Sequence, residues 1–99
     1  MKFDIEETIK KIKKPWESVD LIKFDNKILR IALFEGKYPK GEHQHEYEEV
    51  FVVYRGKVTM SIKDEDFELS EGQGIVVPKG AKHSAFAPIS SFVLYIDQD

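Results

Sequence analysis

The stretch from Gly36 to Gly56 constrains the fold more than any other part of the chain, because it holds two of the three histidines, His43 and His45, as H-x-H. Side chains two residues apart on a β-strand point to the same side, so both imidazoles can reach one metal ion. Glu49 has the same parity, but six residues of continuous strand span roughly 20 Å, far beyond the reach of one ion. If Glu49 joins this site, we predict that the chain folds back over residues 46–48.

The third histidine, His83, ends a second pattern, G-x5-P-x-G-x2-H, which begins at Gly72. This pattern and the earlier G-x6-H-x-H-x3-E-x6-G resemble the two sequence motifs of the cupin family. The resemblance spans about residues 30–97. It implies an all-β fold, the cupin double-stranded β-helix or jelly-roll barrel. It also implies a metal site with four ligands: His43, His45, Glu49 and His83.

The chain departs from the usual cupin pattern at two positions. The first glycine lies one residue further from His43 than usual, which is a loop variation. Ala87 stands where the family often has Asn, so we expect a less polar pocket at this position. Ala85 and Ala87 share the strand parity of His83, and their small side chains predict a cavity beside the site.

The N-terminal segment predicts a short helix over about residues 4–14. Asp4 can cap this helix, and Glu7, three residues later, completes a capping-box pattern. Three isoleucines at helical spacing form one apolar stripe, and Pro15 ends the helix.

From about residue 19 to residue 97 the pattern is typical of short β-strands separated by turns, which favours a sandwich or barrel. Phe51 and Val53 share the parity of Glu49, so we expect them to point into the barrel. The strand 50–54 is apolar on both faces, and its outer face therefore needs a second cover. The other predicted strands are 19–24, 28–35, 58–62, 67–69, 75–77, 83–87 and 91–96, with a loop at 36–41 and a turn at 88–90.

Ninety-nine residues predict one domain, residues 1–99. A domain of this size is marginally stable alone, so we expect a homodimer. The net charge of −3 argues against a nucleic-acid partner. We find no membrane-spanning run and no signal-peptide pattern, and we expect a cytoplasmic protein.

Three imidazoles and one carboxylate suit Zn, Mn, Fe, Ni or Cu, and the sequence does not decide between these divalent transition metals. We expect an open site at the barrel mouth, where a small anionic or oxygen-bearing ligand binds the metal. The resemblance to cupins admits a metal-dependent enzyme, such as an oxygenase or isomerase, without assigning catalytic residues. It also admits a non-catalytic ligand-binding or regulatory module, or a metal-free dimeric scaffold, because fold does not fix function.

Overall fold

The computed structural model describes all residues, 1–99, and contains one short helix and seven β-strands. Alternating apolar residues and frequent turns produce the strands, as the sequence predicts. The elements are α1 (Ile5–Ile9), β1 (Ser18–Phe24), β2 (Lys27–Lys37), β3 (Glu49–Arg55), β4 (Lys57–Ile62), β5 (Glu65–Ser70), β6 (Gly74–Val77) and β7 (His83–Gln98).

The strands form an antiparallel jelly-roll barrel in which β7 belongs to both layers. One layer has the strand order β1-β2-β7-β3-β6, and the other consists of β5 and β4 paired with the start of β7. Residues 83–86 of β7 pair with β4, whereas residues 92–98 pair with β3 and β2. This long strand therefore connects the predicted metal ligand at its start to the opposite layer at its end.

The hydrophobic core lies between the two layers and confirms the predicted strand faces. Phe51 pairs with Tyr95 and Val53 with Val93, so these side chains point inward together. Both Phe51 and Val53 are buried, as their shared parity with Glu49 predicts. The buried core cluster comprises Ala32, Phe34, Phe51, Val53, Val58, Met60, Ile62, Leu69, Val77, Ala81, Ala87 and Val93.

The N-terminal helix is shorter than predicted: it ends at Ile9, not at about residue 14. The Asp4 carboxylate accepts a hydrogen bond from the Glu7 N–H at 2.9 Å, so the predicted cap is present. Beyond Ile9 the backbone N–H of Lys13 donates to the Glu17 carboxylate at 2.6 Å. This bond takes a donor that a longer helix needs for its own i→i−4 ladder. The helix is far too short to cross a membrane.

The C-terminal segment also differs from the prediction, because residues 83–98 form one strand and not two. The predicted turn at 88–90 is instead an irregularity in the pairing between β2 and β7. Phe34 pairs with Ser91, but Gly36 pairs with Ala87, so three residues of β7 face one of β2. Such a bulge bends a strand without ending it, which is why turn-forming residues misled the sequence prediction. β2 likewise extends through Lys37, into the predicted loop 36–41.

Candidate metal centre

His43 and His45 lie in the connection between β2 and β3, and the backbone fixes both. The His43 N–H donates to the His83 carbonyl at 3.0 Å, and the His83 N–H donates back at 2.9 Å. The His45 carbonyl accepts a hydrogen bond from the Gly80 N–H at 2.8 Å. The H-x-H segment is therefore attached to the turn and strand that supply the third histidine.

Glu49 is the first residue of β3, and His83 is the first residue of β7. Between His45 and Glu49 the chain bends at residues 46–47, as the distance argument predicts. The Tyr47 ring stacks on the His45 ring with 5.0 Å between centroids, which supports the orientation of that imidazole. Burial raises the pKa of Tyr47 to about 12, so its hydroxyl stays protonated at neutral pH.

The structure brings together all four residues predicted as ligands. One donor atom of each of His43, His45, Glu49 and His83 lies within 4.8 Å of the others. The Oε1 atom of Glu49 is 3.3 Å from Nε2 of His45 and 3.3 Å from Nε2 of His83. Each ligand of a zinc ion lies about 2.0–2.2 Å from it, so two ligands of one ion can be at most about 4.4 Å apart. The spread of the four atoms is close to this limit, so small side-chain movements would allow His43, His45, Glu49 and His83 to hold one ion.

Three buried atoms of this cluster have no hydrogen-bond partner: Nδ1 of His43, Oε1 of Glu49 and Nε2 of His83. Buried polar atoms in folded proteins are almost always satisfied, so three orphaned ones in one place require an explanation. The other ring nitrogen of His83, Nδ1, lies 3.0 Å from the Ala81 carbonyl. Histidines that bind metal usually donate their second N–H in this way, which leaves Nε2 free for the ion.

Burial and neighbouring charge shift the pKa values of His43 and His83 in opposite directions. Burial lowers the pKa of His43, and the nearby His83 lowers it further. Burial also acts to lower the pKa of His83, but the adjacent Glu49 carboxylate and the Ala81 carbonyl outweigh it, so the pKa is raised. A proton on His83 therefore competes with any ion for the centre of the cluster.

A cavity of about 290 Å³ opens beside the cluster. Ala85 lines this cavity, as predicted, but Ala87 does not: it is buried in the core and 1% exposed. The expectation that Ala87 makes the pocket less polar is therefore wrong, because Ala87 belongs to the core cluster between the layers. The sequence prediction missed three residues that line the cavity: Trp16, Tyr38 and Asp97. Trp16 and Asp97 lie outside both motifs, and Tyr38 is an unspecified position of the first motif.

A model of the cupin domain matches residues 31–91, more than half of the chain. The chain belongs to the cupin family. No curated protein matches this cupin.

Solved structures with the same fold are numerous, and three are informative. A cupin-2 domain containing protein from Shewanella frigidimarina is 21% identical, with a TM-score of 0.90 over 97% of this chain and 93% of that chain. A protein from Neisseria meningitidis is 20% identical, with a TM-score of 0.88 over 100% of both chains. A hydroquinone 1,2-dioxygenase, solved with Cd²⁺ and 4-hydroxybenzonitrile, is 16% identical, with a TM-score of 0.83 over 98% of this chain and 72% of that chain. These similarities establish the fold.

Proposed function

We propose that this cupin binds one divalent transition-metal ion through His43, His45, Glu49 and His83, and that a small oxygen-bearing molecule reaches the ion from the cavity. The proposal rests chiefly on the three orphaned buried atoms, which all belong to this cluster. A metal ion satisfies such atoms by accepting their lone pairs. The second ring nitrogen of His83 is already oriented by a backbone carbonyl, as metal-binding histidines require.

The donor set of three imidazoles and one carboxylate suits Zn, Mn, Fe, Ni or Cu. When bound, such an ion supplies Lewis-acid polarisation of a ligand oxygen. Because the cluster borders a cavity, an ion with six coordination positions would keep positions for water or substrate. This arrangement supports a metal-dependent enzyme over a closed structural site.

Among enzyme classes we favour an oxygenase or an isomerase acting on a small molecule. The hydroquinone 1,2-dioxygenase with the same fold supports the first of these, since it was solved with both a metal and a phenol bound. A non-catalytic ligand-binding module would use the same metal and cavity without turnover. A metal-free scaffold would need neither, and it leaves the orphaned atoms without a role.

Metal binding is tested directly by His45→Ala. We expect about one zinc ion per chain in the parent and at least tenfold weaker zinc binding in the variant, because a ligand is lost. Isothermal titration calorimetry measures both. Gln44→Ala is the matched control, because Gln44 is the exposed neighbour of His45 and should leave the affinity unchanged. Equal zinc affinity in His45→Ala and the parent would contradict the assignment.

Access to the ion is tested by Ala85→Phe, which fills part of the cavity and replaces none of the four ligands. In the cobalt-loaded parent we expect the visible spectrum to change when an oxygen chelator such as acetylacetone is added. In Ala85→Phe we expect full cobalt content and no spectral change. A parent spectrum that responds to no oxygen ligand would identify a closed structural metal instead.

We also propose that the protein is a homodimer. Val50 pairs with Ile96 and with Val76 on the outer face of the larger layer. Val50 is only half-buried and Val76 is 51% exposed, so this apolar face lacks full cover within one chain. A second copy of the chain would cover this face and bury additional apolar surface, which would stabilise a domain of this small size.

A further inference from the structure

We propose that the cavity selects an uncharged single-ring molecule with one or two hydroxyl or enol oxygens, which packs on Trp16, over a dicarboxylate or a phosphorylated compound. This inference rests on the proposed function, because the ligand's oxygens are to face the metal ligands. The cavity walls other than the metal ligands would select the chemical class of the bound molecule.

The size of the cavity sets the first limit. A buried apolar cavity of about 150 Å³ holds one benzene molecule. At about 290 Å³ this cavity has room for one ring with its substituents. The space is at the lower end of the range for small-molecule sites, about 300–1,000 Å³, and is too small for a nucleotide or a disaccharide.

The walls of the cavity are aromatic. The ring of Trp16 lies 4.6 Å from that of Phe34 and 5.2 Å from that of Tyr38, measured between centroids. Tyr38 in turn lies 5.1 Å from the ring of His43, so the aromatic surface is continuous from Trp16 to the metal cluster. A flat ring packs on such a surface with a gain beyond its buried area, whereas an aliphatic chain receives only the area.

The charges around the cavity disfavour anions. No Lys or Arg lines it, and its charged residues outside the histidines are Glu49 and Asp97. Arg30 does not line the cavity, and it forms ion pairs with Asp20 at 2.8 Å and with Asp97 at 2.9 Å. Arg30 and its two partners together carry one negative charge and Glu49 carries another, so these groups would balance a divalent ion. No excess positive charge is then left for a second anionic group.

The polar groups that remain are suited to hydroxyl groups. Asp97 can accept a hydrogen bond from a ligand hydroxyl, and its side chain is only 15% exposed. Burial raises the pKa of Tyr95, which keeps its phenol protonated and able to donate or accept. A phenol or enol offers both a donor and an acceptor, and a dicarboxylate at neutral pH offers no donor.

The backbone at Trp16 shows that the indole is held in the cavity wall at an energetic cost. Its φ is +68°, a left-handed conformation that a bulky residue rarely adopts. The backbone N–H of Trp16 donates to the Leu33 carbonyl at 2.6 Å, and this bond fixes the residue against β2. Strained residues of this kind concentrate at ligand sites, which agrees with a ligand-contacting role for the indole.

Trp16 is the only tryptophan in the chain, so its fluorescence reports directly on the cavity. The zinc-loaded protein is titrated with catechol, with acetohydroxamic acid and with oxalate. Zinc is chosen because it has no redox chemistry with catechol. Acetohydroxamic acid is an uncharged chelator without a ring, and oxalate is a dianion. We expect catechol to quench the fluorescence and to bind about tenfold tighter than either comparator.

Two variants test whether the aromatic wall is responsible. Trp16→Leu, followed by calorimetry, should weaken catechol binding about tenfold and leave acetohydroxamic acid unaffected. Tyr38→Leu should show a smaller loss in the same direction while it keeps the fluorescent probe. Phe24→Leu is the matched control, because Phe24 is 43% exposed and does not line the cavity.

Zinc content, measured by elemental analysis, separates failure of this inference from failure of the proposed function. Full zinc content with oxalate binding as tightly as catechol would overturn the inference and leave the metal site standing. Full zinc content with unchanged catechol affinity in both aromatic variants would do the same. A parent protein that binds no zinc would overturn the proposed function, and this inference with it.

Discussion

Glu49→Gln provides the sharpest test of the metal centre, because it should stabilise the metal-free protein and at the same time reduce the stabilisation that zinc adds. Glu49 is 3% exposed, and its Oε1 has no hydrogen-bond donor. Burial acts to lower the pKa of His83, but the Glu49 carboxylate outweighs it, so this pKa lies above the histidine reference value of about 6.5. The test is therefore made at pH 9, where the imidazole is mostly neutral. Nε2 of His83 is then an acceptor, because Nδ1 donates to Ala81, and it faces a carboxylate that also only accepts.

A glutamine amide keeps the shape of Glu49 and supplies a donor for Nε2 of His83. An unsatisfied buried polar group costs about 1–3 kcal/mol. We therefore expect the metal-free variant to be more stable than the metal-free parent by about this amount. For a domain of this length each kcal/mol corresponds to about 4–8 °C in Tm.

Zinc should stabilise the Glu49→Gln variant less than it stabilises the parent. At a free zinc concentration of 1,000 times Kd, binding stabilises the parent by about 4.1 kcal/mol. If the loss of the carboxylate weakens binding tenfold, the same concentration stabilises the variant by only about 2.7 kcal/mol. The zinc-dependent gain in the free energy of unfolding should therefore fall by about 1.4 kcal/mol, and by more if binding weakens further.

Urea unfolding at pH 9, with EDTA or with fixed free zinc, measures both quantities. Glu48→Gln is the matched control, because Glu48 is the exposed preceding residue and should change neither. If Glu49→Gln destabilises the metal-free protein and leaves the zinc-dependent gain intact, Glu49 is a structural residue. The reasoning from its unpaired oxygen would then be wrong.

Three further predictions concern pH, backbone geometry and assembly. The zinc-dependent rise in Tm should be full near pH 7 and lost toward pH 4.5. The reason is that neutral imidazole binds zinc, so bound metal holds the histidine pKa below the unfolded value of about 6.5. A rise in Tm that persists at pH 4.5 would exclude histidine ligands. Gly56→Ala should destabilise by about 2–5 kcal/mol in urea, because φ is +108° and a Cβ would lie 2.2 Å from Ser91 Oγ. Gly72→Ala, with φ +82° and open space, should cost only about 1–2 kcal/mol. Sedimentation at micromolar concentration should give about twice the monomer mass of 11.5 kDa, and a clean monomer would remove the dimer proposal.

The four clustered residues were predictable from sequence because the two motifs resemble those of cupins, and strand parity and chain reach explain part of their arrangement. H-x-H puts two imidazoles on one side of an extended segment, and the distance to Glu49 requires the bend found at residues 46–47. The inward positions of Phe51 and Val53 follow from the same two-residue period.

The cavity wall was not predictable in the same way, because tertiary contacts decide it. Trp16 enters the cavity only because its backbone adopts a left-handed conformation and pairs with Leu33. Ala87 has the parity of Ala85 but is buried in the core cluster, whereas Ala85 lines the cavity, and parity alone does not separate the two. The extent of α1 depended on Glu17, which captures the Lys13 N–H from outside the helix.

Several features of this protein that oppose folding lie around one cavity. Trp16, whose backbone is in a left-handed conformation, lines this cavity. The three residues with unsatisfied buried atoms, His43, Glu49 and His83, line it too. Around them the core is apolar, and β7 joins both layers. A sequence selected only for stability would replace Glu49 with an apolar residue, since burying a carboxylate among neutral histidines is costly. A metal ion held by the cluster and a ring held by Trp16 give these costs a function, and this is why we expect stability and metal affinity to change in opposite directions at Glu49.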